Sequence, residues 1–430
     1  MKKIYFIITL LSIMLVVASF CLTNILTSTT IVKPVSDKLV LEDSSEVTSV
    51  AENTSIDKNA DATKSENETS SATDKDTSND KKAQEILDSM SLDEKINQLF
   101  IITPEALSGV DTAIIAGDKT KSGLTQHPVG GLIYSTNNFQ NADQTKQLVS
   151  KTKEMGNELC KVPLFMSIDE EGGSVARLAN SSTLSVPKVD NMSDIGATGD
   201  AQKAYEAGKT IATYLSEYGF NLDFAPVADE LTNSKNTVVK DRSFGSDPTM
   251  VANMGEQISK ALNESNIYSC YKHFPGHGAT AGDTHTGFAS CDKTYEELEK
   301  SELVPFKQAI KNHADFIMVG HFALPKITGD ETPASLSSAI IADMLKNKLG
   351  YNGLVITDAL NMQALTQLYT SDQIAVKTLQ AGADILLMPE DFNLAYTGIK
   401  NAVDNGTITE ERINESVKKI ISTKLKLLKK

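Results

Sequence analysis

Tryptophan is absent from the 430 residues, and histidine occurs only six times. Without Trp, a carbohydrate-binding module built on aromatic platforms is disfavoured, while a sugar site made of polar groups stays open. Cationic charge is also short. The 41 Lys and Arg against 56 Asp and Glu leave a formal net charge of −15. Nucleic-acid binding wants a basic face, so no nucleic-acid partner is expected. Cysteine is scarce, with four in the chain. Cys160, Cys270 and Cys291 have no metal-type spacing and are an odd number, so they provide no disulfide framework. Three buried free thiols are favoured over a Cys270–Cys291 pair. No Gly-x-Gly-x-x-Gly follows an apolar run, so no dinucleotide cradle is expected. Solenoid-type repeats are missing as well.

What is present begins with Lys2 and Lys3, followed by an apolar run from Ile4 to about Leu26. Residues 1–35 read as a signal peptide or an uncleaved membrane anchor, since roughly 20 apolar residues span a bilayer. Cys21 invites lipidation, but Phe20 before it is a poor match to such signals. From residue 36 to 82 there is no aromatic, Gly or Pro, and residues 37–82 hold twelve acids and six lysines. That composition cannot bury enough apolar area to offset chain entropy, so it reads as a disordered acidic Ser/Thr-rich linker. The expected location is extracytoplasmic, secreted or tethered to the membrane by the N-terminal segment.

Residues 83–430 alternate short apolar runs with amphipathic stretches. Expected strands are Leu99–Ile102, Gly131–Tyr134, Leu164–Ile168, Phe220–Ala225, Ile267–Tyr271, Phe316–Gly320, Leu354–Thr357 and Asp384–Met388. They lack clean alternation, as strands buried on both faces do. Between them lie helical patterns over Asp143–Cys160, Ala201–Tyr218, Pro248–Glu264, Thr294–Asn312 and Ser337–Leu349, the last with Ser337 or Ser338 as cap. A helix from about Lys82 through Leu99 would close the barrel bottom. Glu410–Leu428 reads as a surface helix whose terminal lysines complement its dipole. About eight β–α units in about 350 residues predict a single (β/α)8 TIM barrel, an α/β fold, with no large second domain.

Ionisable residues recur at one end of these strands: Asp169-Glu170-Glu171, Asp223 with Asp229, Lys272-His273, His321 and Asp358. In a barrel that end carries the active site. Acids with Arg and Lys and no nucleotide motif suit hydrolysis of a polyhydroxylated substrate. A retaining glycosidase needs a carboxylate nucleophile and an acid/base. Asp358 is the best-placed nucleophile. The spacing of Asp283 and His285 allows a carboxylate to orient an imidazole that donates and then accepts a proton. The stretch Lys272–Gly278, with Asp283 and His285, gathers three of the six histidines into fourteen residues.

Several long motifs then carry a resemblance. They are Ile168-Asp169-Glu170-Glu171-Gly172-Gly173, Asn221–Val227, Asp241–Gly245, Lys272–Gly278 with Asp283/His285, Thr357–Met362 and Ala381–Asp384. In this order the chain, over about residues 83–428, resembles glycoside hydrolase family 3, in its bacterial β-N-acetylhexosaminidase branch. The resemblance implies that Asp358 is the nucleophile, His285 the acid/base and Asp283 its dyad partner. It implies that Asp169, Arg177, Arg242, Lys272 and His273 hold a terminal N-acetylglucosamine. The implied substrate is an N-acetylglucosamine-terminated glycan, such as a cell-wall peptidoglycan fragment. No cofactor or metal is implied, and oligomeric state stays open.

Two positions depart from the pattern. Ser174 stands where the family often has Arg, and Glu170 where it often has Gln; both are expected on the pocket rim. His277 is expected to shape its loop. Some relatives use a C-terminal domain to supply an acid; no such domain is expected here, so the dyad is expected to be the more necessary. Rival readings are a metal site from His273, His277, His285 and Asp283, a non-catalytic wall-glycan-binding protein, and a phosphorylase or other family 3 β-glycosidase.

Overall fold

Ser91 decides how the folded region starts. Its hydroxyl accepts from the Glu94 N–H and the Glu94 carboxylate accepts from the Ser91 N–H, a complete capping box. The computed structural model describes residues 79–280 and 282–428. The expected N-terminal segment, and the expected linker up to residue 78, lie outside them. Residues 79–89 form a helix, so residues 79–82 belong to it and not to a linker. The single helix expected from Lys82 to Leu99 is two, because the Ser91 cap starts a new one, Leu92–Gln98 (α1).

Eight strands follow: Phe100–Ile102 (β1), Gly131–Tyr134 (β2), Phe165–Ile168 (β3), Leu222–Asp223 (β4), Tyr268–Phe274 (β5), Phe316–Val319 (β6), Leu354–Thr357 (β7) and Leu386–Leu387 (β8). From β1 to β7 each pairs in parallel with the next, and β8 pairs with β1 through Phe100↔Leu386. The remaining gap, between β7 and β8, is bridged by Ile356↔Ile385. The sheet is therefore an eight-stranded parallel barrel, consistent with (β/α)8. Every strand residue is buried, which is why the runs showed no alternation.

Strand β5 runs past the expected end at Tyr271 and contains Lys272 and His273, with a register shift between Tyr271 and Phe274. The chain turns out at Gly276, whose φ is 121°, and a Cβ there would lie 2.5 Å from the Glu302 side chain. At Gly278 a Cβ would meet the Glu230 carbonyl oxygen at 1.9 Å. The Gly residues of this segment thus let it press against the neighbouring loop.

Helices Ala201–Tyr218 and Pro248–Glu264 match expectation. Thr294–Asn312 instead splits into Tyr295–Glu299 and Leu303–Lys311. Pro305 has no N–H to continue the first helix, so the second begins close before it. Ala339–Lys348 winds as a π-helix, and Ser338 sits at its cap position without a side-chain cap bond. Cys160, Cys270 and Cys291 are free and buried.

The last helix, Glu410–Leu427 (α2), is more than a surface helix. Lys424 is wholly buried, its Nζ 2.7 Å from Gln98 Oε1 and 4.9 Å above the Phe165 ring. Tyr268, from the first residue of β5, donates to the Thr423 carbonyl at 2.7 Å. Phe165, Tyr268 and Phe316 stack edge-on and tilted at the starts of their strands. The helix therefore plugs the N-terminal end of the barrel. Among the described residues no helix is long and apolar enough to cross a membrane.

Candidate active site

The C-terminal ends of the strands surround a cavity of about 680 Å³. Asp358, His285, Asp283, Asp169, Arg177, Arg242, Lys272 and His273 all line it. Four separate βα segments bring them there. A cavity of about 670 Å³ at the other end lies between α2 and the starts of β6 and β7. Two of its lysines are in local pairs, Lys418 with Asp80 at 3.0 Å and Lys426 with Asp315 at 3.2 Å.

One wall is an ionic lattice. Lys272 Nζ lies 2.7 Å from Asp169 Oδ1 and 2.6 Å from Glu171 Oε1. Arg242 grips both Glu171 oxygens, through Nε and Nη2, at 2.7 Å each. Arg177 Nη2 stands 3.8 Å from Asp169 Oδ2. Burial works against the Glu171 carboxylate, but Arg242 and Lys272 outweigh it and hold its pKa well below the usual range. The same contacts raise Lys272 and Arg242 against their burial. All three groups are therefore charged near neutrality, and hydroxyl-bearing ligands meet both donors and acceptors. In the sequence Glu171 is one of three consecutive acids and nothing singles it out. It is the hub that aligns the two cations.

His273 has its own support. Its Nδ1 lies 2.7 Å from Asp229 Oδ2, and its Nε2 stands 3.4 Å from Arg242 Nη2. Nδ1 carries its proton toward the Asp229 carboxylate, which orients the ring. Asp229 also takes the His273 and His277 N–H groups, at 3.2 and 2.6 Å. It is fully buried, yet His273 and the further donors keep its pKa below the ordinary value. Asp229 was visible in the sequence only as one more acid at a strand end.

Asp358 follows the last residue of β7 and is half-buried on the cavity. Burial would raise its pKa. His273, His321, the Ala359 N–H at 2.7 Å and Lys272 outweigh it and hold the carboxyl at about 2. It is a carboxylate at any physiological pH. On the same cavity His285 Nδ1 lies 2.8 Å from Asp283 Oδ1, and the His285 N–H reaches the same oxygen at 2.9 Å. The pairing that spacing merely allowed is made. Both side chains remain open, 59% and 39% exposed. Despite some burial cost, the His285 contacts lower the Asp283 pKa.

Three neighbours have other places. Glu170 is buried, not on the rim as expected; its carboxylate accepts from Leu178 N, Ala179 N and Tyr214 Oη at 2.8, 3.0 and 2.9 Å. It ties down the turn that carries Arg177. Ser174 does line the cavity. His321 packs beneath, with Nδ1 2.8 Å from Ser335 Oγ and Nε2 2.9 Å from the Ala359 carbonyl. His277 is buried, with both ring nitrogens on threonine hydroxyls. Among the described residues no three His, Cys, Asp or Glu side chains converge as a metal site.

This arrangement has counterparts. The chain is 31% identical over 328 residues to the β-hexosaminidase A of Pseudoalteromonas piscicida, covering 71% of this chain and 54% of that one. It is 32% identical over 292 residues to the β-hexosaminidase of Haemophilus influenzae, covering 67% and 80%. A solved family 3 β-N-acetylglucosaminidase from Paenibacillus sp. str. FPU-7 superposes with a TM-score of 0.73 at 35% identity, over 79% of this chain and 63% of that one. The chain thus spans about half of the first relative and under two thirds of the solved structure. The profile of the glycosyl hydrolase family 3 N terminal domain matches residues 91–423. Barrel, cavity and sequence agree, and the chain belongs to glycosyl hydrolase family 3, with β-hexosaminidases among its relatives.

Proposed function

We propose that this protein is a retaining exo-β-N-acetylglucosaminidase. The observation that carries the reading is that one cavity is lined by both an anionic Asp358 and a carboxylate-oriented His285. Asp169, Lys272, Arg242, Arg177 and His273 hold the terminal sugar by its hydroxyls. Asp358 attacks the anomeric carbon as His285, in its protonated form, gives its proton to the leaving oxygen. The glycosidic bond breaks and a glycosyl-Asp358 ester forms. Neutral His285 then takes a proton from water as that water displaces Asp358, and the β-configuration returns. Asp283 stabilises the imidazolium and fixes the ring, with its proton donor Nε2 free.

Glycans ending in N-acetylglucosamine, such as peptidoglycan fragments, are the proposed substrates. We further infer that residues 1–35 and 36–78 place the barrel outside the cytoplasm, secreted or tethered to the membrane. The curated relatives' names support the sugar, and the composition of the N-terminal residues supports the location.

The test compares aryl N-acetyl-β-glucosaminide with the glucoside and the free glucosaminide, with and without phosphate. The N-acetylated compound should be cleaved best, with no need for phosphate, and NMR should show the β-anomer of the product first. Asp358→Ala should lose roughly 10⁴-fold in kcat. An α-anomer first, or appreciable activity in that variant, would overturn the mechanism.

A further inference from the structure

Between Asp283 and His285 lies Thr284, which faces the other way. Its neighbours open on the cavity, whereas Thr284 is 0% exposed. Its Oγ1 lies 3.2 Å from His277 Nε2, and its carbonyl accepts from the Ala364 N–H at 3.3 Å. Ala364 belongs to the short helix Gln363–Thr366 that follows Asp358. His277 Nδ1 lies 2.9 Å from Thr280 Oγ1, which is also 2.9 Å from the His277 carbonyl. A carbonyl only accepts, so the Thr280 hydroxyl donates to it and takes the His277 Nδ1 proton. His277 Nε2 is then the acceptor for the Thr284 hydroxyl. Burial pushes the His277 pKa down to about 4, which keeps that lone pair available at neutral pH.

The path continues inward. The His277 N–H meets Asp229 Oδ1 at 2.6 Å, and Asp229 Oδ2 meets His273 Nδ1 at 2.7 Å. Thr284 is therefore where the sugar-gripping end of β5, the loop after Asp358 and the acid/base loop come together. The hydroxyl bond and one 3.3 Å backbone bond are what anchor the residue between the two dyad members.

We propose that Thr284, backed by His277, is a positioning residue that sets the Asp283–His285 pair over the cavity relative to Asp358. The role rests on the glycosidase reading above. It predicts a defect concentrated in steps that need proton donation, because Thr284 hydrogen-bonds His277 and Ala364 and neither Asp358 nor a sugar-gripping side chain directly.

The experiment uses the full chain with Thr284→Val, which keeps shape and removes the O–H, and Thr284→Ser, which keeps it. kcat/KM, which reports glycosylation, is measured on a nitrophenyl and on a methyl N-acetyl-β-glucosaminide. The nitrophenyl group departs without a proton and the methoxide does not. Thr284→Val should lose about ten- to hundredfold on the methyl glycoside, far less on the nitrophenyl glycoside, and Thr284→Ser should restore the difference. Equal losses on both substrates, no loss on either, or failure of Ser to rescue would overturn the role. If Thr284→Val does not fold, Thr284→Ala is read on the same pair. A wild-type protein that cleaves neither substrate overturns the glycosidase reading and this role with it.

Discussion

Glu171 shows how much of the cavity depends on one carboxylate. Its side chain is 1% exposed and faces both Arg242 and Lys272. Glu171→Gln leaves Lys272 with Asp169 and takes from Arg242 the carboxylate it grips. Removing one partner of a buried charge cluster costs about 3–5 kcal/mol, and urea unfolding at pH 7 should show a loss of that size. The sign with pH follows from the lowered pKa. The stabilisation is present above the ordinary value of 4.5 and is lost as pH falls below it. Wild type and variant should therefore converge in acid. Asp283→Asn tests the other wall: kcat/KM on the methyl glycoside should fall roughly 10²-fold, with a smaller loss on the nitrophenyl one. At this scale the sequence was informative about residue types at strand ends. It was blind to Glu171 and Asp229, because nothing in a run of acids tells which one faces a cation and which, like Glu170, faces backbone N–H groups.

The last helix makes the point at the scale of elements. Its periodicity, with Glu410 and Glu411 in the first turn and Lys424 and Lys426 in the last, reads as a dipole-complemented surface helix. In the fold Lys424 enters the barrel end instead. Burial lowers its pKa to about 7. A base with a depressed folded pKa binds its proton more readily when unfolded. Stability should therefore rise with pH between about 7 and the ordinary 10.5. Lys424→Met should remove that contribution. The wild-type stability minus that of Lys424→Met, from urea titrations at pH 7, 8.5 and 10, should increase with pH. A flat difference would mean Lys424 keeps its charge in the fold. The strands were legible because burial on both faces leaves an unmistakable apolar run. The break at Pro305 and the restart at Ser91 carried local signals too. The π-winding of Ala339–Lys348 and the extension of β5 through Lys272 and His273 did not, because neighbouring strands and loops set them.

For the whole molecule, the barrel and the N-terminal residues are proposed to do separate jobs. Deleting residues 1–78 should move the protein from membrane to soluble fractions and leave kcat/KM on the aryl glycoside unchanged. Continued sedimentation with membranes would remove the tether from the account. The order of apolar runs determined the (β/α)8 arrangement, since eight runs buried on both faces and joined by amphipathic helices close in parallel. It also determined which end carries the chemistry, since the charged residues follow the strands. Only the tertiary structure decided the contacts across the cavity. Asp358 and the Asp283–His285 pair come from segments far apart in the chain, and Lys272 meets Glu171 across 101 positions of sequence. A linear pattern records which face a side chain takes. It does not record the partner waiting on another strand, because that partner is set by barrel closure.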